Sequence, residues 1–325
     1  MTDLLSLFKT TGAYSSIVKD KRSGTLSHAY LLITPDAKNL DEYARIVAKI
    51  IVCEDGEPCL SCRKCRLIDA NAFTDVKFYP KDAAVKTDDV NEIIEESFIK
   101  PIEGDKKVFI ISHAETMSEI AQNKLLKTLE EPPNNVYIVV LSTSEFSLLS
   151  TFKSRVKKFE IPPYSEDALF SALRQDCPDE EKLRVAIAVS DGTVGGAQTY
   201  YSDKRFSDAC TQACDVLINM KKSGDVLRFS NKVTALGDAV DEFLSVLLLA
   251  LSEMLYLNEG KESLIKNLSF PELKNAEGFT RGSIIHAIET TNEAVKRKKA
   301  NVSDQTVVEW LLLSILEGKH KWQKS

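Results

Sequence analysis

The sequence predicts an α/β domain with a parallel sheet and helices on both of its faces, followed by helical structure to the carboxyl end. Three observations lead there. Short apolar runs alternate with helical patterns in units of about 30 residues as far as Ile161. The double proline Pro162-Pro163 then breaks regular structure. Beyond it amphipathic patterns of helical period follow one another, and no further β-rich run occurs. The boundaries read as an α/β domain at 1–163, a small helical module at 164–203 and a larger helical domain at 204–325.

His28-Ala29-Tyr30-Leu31-Leu32-Ile33 is an apolar run that stops at Thr34-Pro35-Asp36, a buried strand followed by a turn. From Leu40 the apolar positions Tyr43, Ile46, Val47, Ile50 and Ile51 recur at spacings of three and four, so a helix packs on that strand. Val76–Tyr79, Lys107–Ile111 and Val136–Leu141 read as further strands; Val90–Phe98 and Ile120–Leu129 read as the helices between them. Ser165-Glu166-Asp167-Ala168 caps a helix that runs to Leu173, and Glu180–Ser190 forms another that ends at Asp191-Gly192. Helical patterns then cover 209–220, 226–236, 239–257, 284–294 and 305–316. The segment 239–257 is apolar nearly all round, which places it at the centre of a bundle or in a subunit contact.

The chain has 325 residues, with 42 basic against 48 acidic side chains, a formal charge of −6 that excludes a histone-like polycation. Its longest fully apolar stretch, Val246–Leu251, falls far short of the roughly 20 residues that cross a bilayer. No basic region and no small-residue cleavage site accompany the first apolar residues, so a soluble cytoplasmic protein without a membrane partner is expected. The seven cysteines form an odd set. In a chain without an export signal that argues against a disulfide framework.

Four of the cysteines fall together as Cys53-x5-Cys59-x2-Cys62-x2-Cys65. Such spacing lets a turn point successive sulfurs inward, as in a closed tetrahedral zinc site with bonds of about 2.3 Å and no open position for water. Zinc there is structural; reduced thiols or an iron–sulfur cluster are the alternatives. Cys177, Cys210 and Cys214 lack companions and read as small buried apolar residues. No Ser/His/Asp or Cys/His set can be assembled. Lys296-Arg297-Lys298-Lys299 ends a helix, where cations suit the dipole, and with Lys153, Arg155, Lys157 and Lys158 it makes up the basic groups. Neither group is interleaved with aromatics that would stack on bases.

The stretch Asn123-Lys124-Leu125-Leu126-Lys127-Thr128-Leu129-Glu130-Glu131-Pro132-Pro133 resembles the clamp-loader branch of the AAA+ proteins. His28-Ala29-Tyr30-Leu31, the cysteine cluster and Thr151-Phe152-Lys153-Ser154-Arg155 fit the same family in order and spacing. The resemblance implies an AAA+-like α/β domain with an inserted zinc knuckle at 53–65, a lid at 164–203 and an oligomerising collar at 204–325. It also registers the nucleotide motifs. A working phosphate loop needs G-x-x-x-x-G-K-[ST], whose backbone N–H groups wrap the phosphates while the lysine neutralises them. The corresponding octet is Thr34-Pro35-Asp36-Ala37-Lys38-Asn39-Leu40-Asp41, with both glycines gone, Leu40 at the lysine position and Asp41 in place of the magnesium-binding hydroxyl. The family's second motif, Asp-Glu at the end of a strand, is Ser112-His113 here.

One catalytic element survives. Ser154-Arg155 resembles the family's Ser-Arg-Cys motif, whose arginine acts in trans on the phosphate bound by the next subunit; Val156 stands at the third position. Without the resemblance, Arg155 would read as a surface ion-pair former. The resemblance thus implies a non-hydrolysing stator within a hetero-pentameric DNA polymerase III loader, binding no nucleotide in cis. Its partners would be the gamma/tau ATPase subunits and the delta subunit, and through the complex the sliding clamp and primer-template DNA. The rival expectation is an ATP-hydrolysing motor subunit of the same loader or a related AAA+ remodelling ATPase.

Overall fold

A computed structural model describes residues 4–81, 84–260 and 270–321. The chain separates into two compact units, one made of residues 1–172 with 193–195 and the other of 173–192 with 196–325.

In the first unit, α1 (Leu4–Lys9) and α2 (Gly12–Arg22) precede β1 (Ala29–Ile33). Then come α3 (Leu40–Val52), α4 (Arg63–Asp69), β2 (Val76–Tyr79), α5 (Thr87–Ser97), β3 (Lys107–Ile111), α6 (Glu119–Glu130), β4 (Val136–Ser142), α7 (Ser150–Lys153), β5 (Lys157–Glu160) and α8 (Glu166–Leu173). The five strands form one sheet in the order β2-β3-β4-β1-β5, and every neighbouring pair is parallel. Parallel strands are covered on both faces, which is why β1 and β3 are apolar runs rather than alternating ones.

One face of the sheet presents Ala29, Leu31, Phe109, Ile111, Ile138 and Val140 to Val90 and Ile93 of α5 and to Ala121, Leu125 and Leu129 of α6. On the other lies α3, ten of whose thirteen residues are buried. The four strand runs and the intervening helices read from the sequence all form. α1, α2 and α4 were not read there, and neither was β5, an exposed edge strand whose four residues include three charges.

The second unit contains α9 (Glu180–Ala188), most of α10 (Val194–Ser202), α11 (Lys204–Asn219), α12 (Ser223–Thr234), α13 (Val240–Asn258), α14 (Arg281–Lys299) and α15 (Asp304–Lys321). Helix α13 lies at the centre, as its nearly continuous apolar surface requires: Phe243, Leu244, Val246, Leu247, Ala250 and Leu251 are all buried in one core with α11, α14 and α15. No helix among the described residues is long and apolar enough to cross a membrane.

Candidate metal centre and candidate phosphate-loop region

The four clustered cysteines come from three adjacent pieces of backbone. Cys53 follows the last residue of α3, Cys59 lies in the loop, Cys62 is the N-cap of α4 and Cys65 sits in its first turn. The loop turns inward with positive φ at Gly56 and Leu60. All four sulfurs lie within 4.8 Å of one another, and Cys59 Sγ is 4.0 Å from Cys65 Sγ. A tetrahedral zinc with bonds of about 2.3 Å places its sulfurs roughly 3.8 Å apart, so the cluster fits such an ion with little adjustment. The backbone N–H of Cys62 donates to Cys59 Sγ and that of Cys65 to Cys62 Sγ, each at 3.3 Å, an arrangement that favours thiolates.

The electrostatics are divided. The N–H groups of Cys62 and Ser61 draw the Cys59 thiol down to about 6, whereas burial pushes Cys53 and Cys65 up. Four close sulfurs cannot all ionise unaided; a divalent cation removes that obstacle. The cysteine loop is braced from α2, where Tyr14 donates to Glu57 at 3.1 Å, Arg22 pairs with the same carboxylate, and Lys21 donates to the carbonyl of Ile51 at 2.7 Å.

The octet from Thr34 to Asp41 occupies the carboxyl end of β1 and the start of α3; Ser112 follows β3 and Ser142 ends β4. Since β4 lies between β1 and β3, these residues surround one crevice at the carboxyl ends of three adjacent strands, where open parallel sheets bind ligands. The crevice is furnished with acids, and its donors already have partners. Asp36 is 3% exposed; its carboxylate accepts from Asn39 Nδ2 at 2.9 Å and from the backbone N–H of Gly195 at 3.2 Å. Asp41 accepts from Ser112 Oγ at 2.5 Å. Glu115 accepts from Ser142 Oγ at 2.7 Å and from the N–H of Thr143 at 3.1 Å. Burial raises the Glu115 carboxyl, but those hydrogen bonds outweigh it and hold the group below the ordinary carboxylate range.

Leu40, which the resemblance sets at the phosphate-loop lysine, is fully buried. His113 adopts a left-handed conformation, φ 55°, with Nδ1 3.3 Å from Glu115 Oε1. Asp41 at the start of α3 and Ser112 after β3 thus form a pair of acid and hydroxyl. Gly195 completes the closure: a Cβ there would lie 2.5 Å from Asp36 Oδ1 and 2.7 Å from Lys38 Cβ. The sequence reading singled out Thr34, Asn39, Leu40, Asp41, Ser112 and His113, quoted Asp36 only as a member of the octet, and gave no part here to Gly195 or Glu115. The acid inside the octet was the available signal.

Arg155 lies elsewhere. It lies two residues before β5, whose Lys157 pairs with Tyr30 near the amino end of β1. The five residues of β1 separate the two ends of the sheet by about 16 Å at roughly 3.3 Å per residue. At the amino end Arg155 Nε donates to Glu130 Oε1 at 2.6 Å, and Nη1 donates to the carbonyl of Thr151 at 2.7 Å and to Ser154 Oγ at 3.2 Å. His28 Nε2 lies 2.8 Å from the carbonyl of Leu129 beside it, a structural contact.

The two basic groups are largely engaged by acids and aromatics. Lys157 pairs with Asp20, Lys158 with Glu145 and Glu160, and Lys298 with Asp304 and Asp241. Arg297 sits 3.6 Å from the Trp310 ring centroid. Burial drives the thiol of Cys210 up to about 12 and raises those of Cys177 and Cys214 as well, in keeping with inert apolar roles.

Residues 9–165 match the family model described as DNA polymerase III, delta subunit. Subunit delta' of DNA polymerase III from Bacillus subtilis is 28% identical over 94% of this chain and 94% of its own. Subunit gamma from Buchnera aphidicola subsp. Schizaphis graminum is 30% identical over 54% of this chain and 50% of its own. A gamma subunit-related protein from Thermotoga maritima aligns with 93% of this chain and 99% of its own at 18% identity, with a TM-score of 0.43.

Proposed function

We propose, for a chain that is a relative of the DNA polymerase III clamp-loader subunits, that it serves in the loader as a subunit that neither binds nor hydrolyses ATP and that supplies Arg155 to a neighbouring ATP site. The observation that carries this reading is the state of the crevice: three carboxylates, Asp36, Asp41 and Glu115, each held by a donor from within the chain, stand where a triphosphate and its magnesium would need glycine N–H groups, an ammonium and a hydroxyl. Acids facing phosphate oxygens repel them, and at about 4 Å such a pair of like charges costs about 4 kcal/mol at an effective dielectric constant near 20.

Arg155 complements that loss. It sits at the end of the sheet opposite its own crevice, so a phosphate it stabilises belongs to another subunit. Its planar fork suits phosphate oxygens, and the charge it supplies is greatest in value where negative charge develops in phosphoryl transfer. Ser154 holds the base of the guanidinium rather than reacting. In the same reading the cysteine cluster carries a structural zinc, residues 164–203 act as the lid and 204–325 as the collar that joins gamma/tau and delta subunits in a cytoplasmic pentamer acting on the sliding clamp and primed DNA.

Two measurements test it. The purified chain should show no thermal shift and no hydrolysis with millimolar ATP and magnesium. Reconstituted with its ATPase partners, Arg155→Ala should lower DNA-stimulated hydrolysis while assembly proceeds. Micromolar ATP binding by the chain alone would return it to the motor class, and an unchanged rate would remove the arginine from the reaction.

A further inference from the structure

We propose that Glu130 parks the Arg155 guanidinium and competes for it with the phosphate of the neighbouring subunit, so that Glu130 is a positioning residue for the trans arginine; this rests on the role given to Arg155 above. The fork is divided between two kinds of partner. Its Nη1 corner is anchored to the local backbone and hydroxyl, through the carbonyl of Thr151 and Ser154 Oγ. Its Nε–Nη2 edge is turned to Glu130, whose Oε1 receives both nitrogens. That edge is one a phosphate would take side-on with two parallel hydrogen bonds. A phosphate approaching it must displace the carboxylate while the anchored corner holds the arginine in place.

Two further features fit a parking role. The pair is accessible, with 32% of the Arg155 side chain and 46% of the Glu130 side chain exposed, so water and salt weaken it enough for exchange. Glu130 is also the last residue of α6, and an acid in the final turn of a helix opposes the helix dipole. Its position gains nothing for the helix and is matched to the arginine across 25 residues of sequence. In the free chain the guanidinium is neutralised and kept off other anions. In the assembly a triphosphate, more highly charged than a carboxylate, takes it over.

The test uses the full chain reconstituted with its ATPase partners, with kcat and KM for ATP measured separately under DNA stimulation. Glu130→Gln keeps an oxygen acceptor and removes the charge, so the arginine is freed without being cut loose. Since an exposed ion pair is weak, kcat should rise by about threefold to fivefold. KM should stay unchanged, because the neighbour's own loop holds the nucleotide. In an Arg155→Ala background the same substitution should have no effect, and the thermal midpoint of the isolated Glu130→Gln chain should match the parent. A kcat that falls or stays level, or a change of equal size in the Arg155→Ala background, would overturn the parking role. If Arg155→Ala slows hydrolysis while Glu130→Gln does nothing, the parking role fails and the trans arginine stands; if Arg155→Ala itself has no effect, both fall.

Discussion

Replacing Gly195 with alanine tests whether the crevice is sealed from within. The added Cβ would lie 2.5 Å from Asp36 Oδ1, 2.7 Å from Lys38 Cβ and 3.1 Å from Asn39 Nδ2, and the first two are closer than real contacts come. Backbone must move, and with it the N–H of Gly195 that donates to both Asp36 oxygens. Overpacking of this kind costs about 1–3 kcal/mol. Weakening the donors of a carboxylate that is 3% exposed adds about 1 kcal/mol, giving roughly 2–4 kcal/mol in total. The readout is hydrogen exchange of a peptide spanning 29–52, where amides that exchange by local opening should do so about 30- to 700-fold faster at about 1.4 kcal/mol per factor of ten. Gly224→Ala is the control: it lies in α12 with nothing within 4 Å of its Cβ, and should raise stability by about 0.4–1 kcal/mol. Tryptophan fluorescence reads that control, since both tryptophans, Trp310 and Trp322, fall in the C-terminal part of the chain. Were Gly195→Ala to leave exchange around β1 and α3 unaltered, the close approach to Asp36 would not exist and the sealed-pocket argument would lose its anchor.

Other outcomes follow from single sites. Asp75 is fully buried and accepts from the backbone N–H groups of Ile102, Glu103 and Gly104 at 2.7–2.8 Å; Asp75→Ala orphans all three and should lower the urea unfolding free energy by at least about 3 kcal/mol, a smaller loss refuting the role given to the carboxylate. Elemental analysis should find one zinc per chain, and chelation or Cys62→Ser should lower the thermal midpoint; a metal-free chain of unchanged midpoint would contradict a structural ion. The Glu115 carboxyl is depressed below its ordinary value of 4.5, so its contribution to stability is complete above that pH and disappears as pH falls through the lower folded value. Ser142→Ala removes one of its donors and should flatten that acid arm of a pH–stability profile by less than about 1 kcal/mol, and a steeper arm would reverse the sign argued here.

What could be read from the sequence was what burial writes into it. The apolar runs of β1, β3 and β4 are continuous because both faces of the sheet are covered, and the period of α3 and α13 follows from the cores they fill. Helix α10 escaped because Gly195-Gly196 opens it and weakens every local helical signal. Helix α2 carries an ordinary signal in the Thr11 cap and in the spacing of Ala13, Tyr14, Ile17 and Val18, but at 11 residues it is short and mostly polar on its outer face. β5 carries Lys157, Lys158 and Glu160 and reads as polar, since an edge strand gains only part of its stability from burial. The cysteine spacing disclosed the cluster, because such short gaps leave few ways to separate the sulfurs. The contacts of Asp36 with Gly195 and of Arg155 with Glu130 join positions 159 and 25 residues apart, and no local pattern encodes such a meeting.

On the proposed reading, the pair of Asp41 and Ser112 bears on why the crevice would not take up nucleotide through one substitution. Leu40→Lys would bring an ammonium to a position with no exposure, at the desolvation cost of an unpaired cation. Asp41→Thr would supply the hydroxyl but leave Ser112 with no acid to hold magnesium. Asp36 would still face the phosphates, and Gly195 would still close over it. Each repair is unfavourable until the others are made, so the sealed state is stable against piecemeal reversal. None of these residues touches the amino end of the sheet, where Arg155 is held by Thr151, Ser154 and Glu130. In the proposed reading a parallel sheet would put nucleotide binding and the trans arginine at opposite ends of the same strands, so that one could be lost while the other is kept.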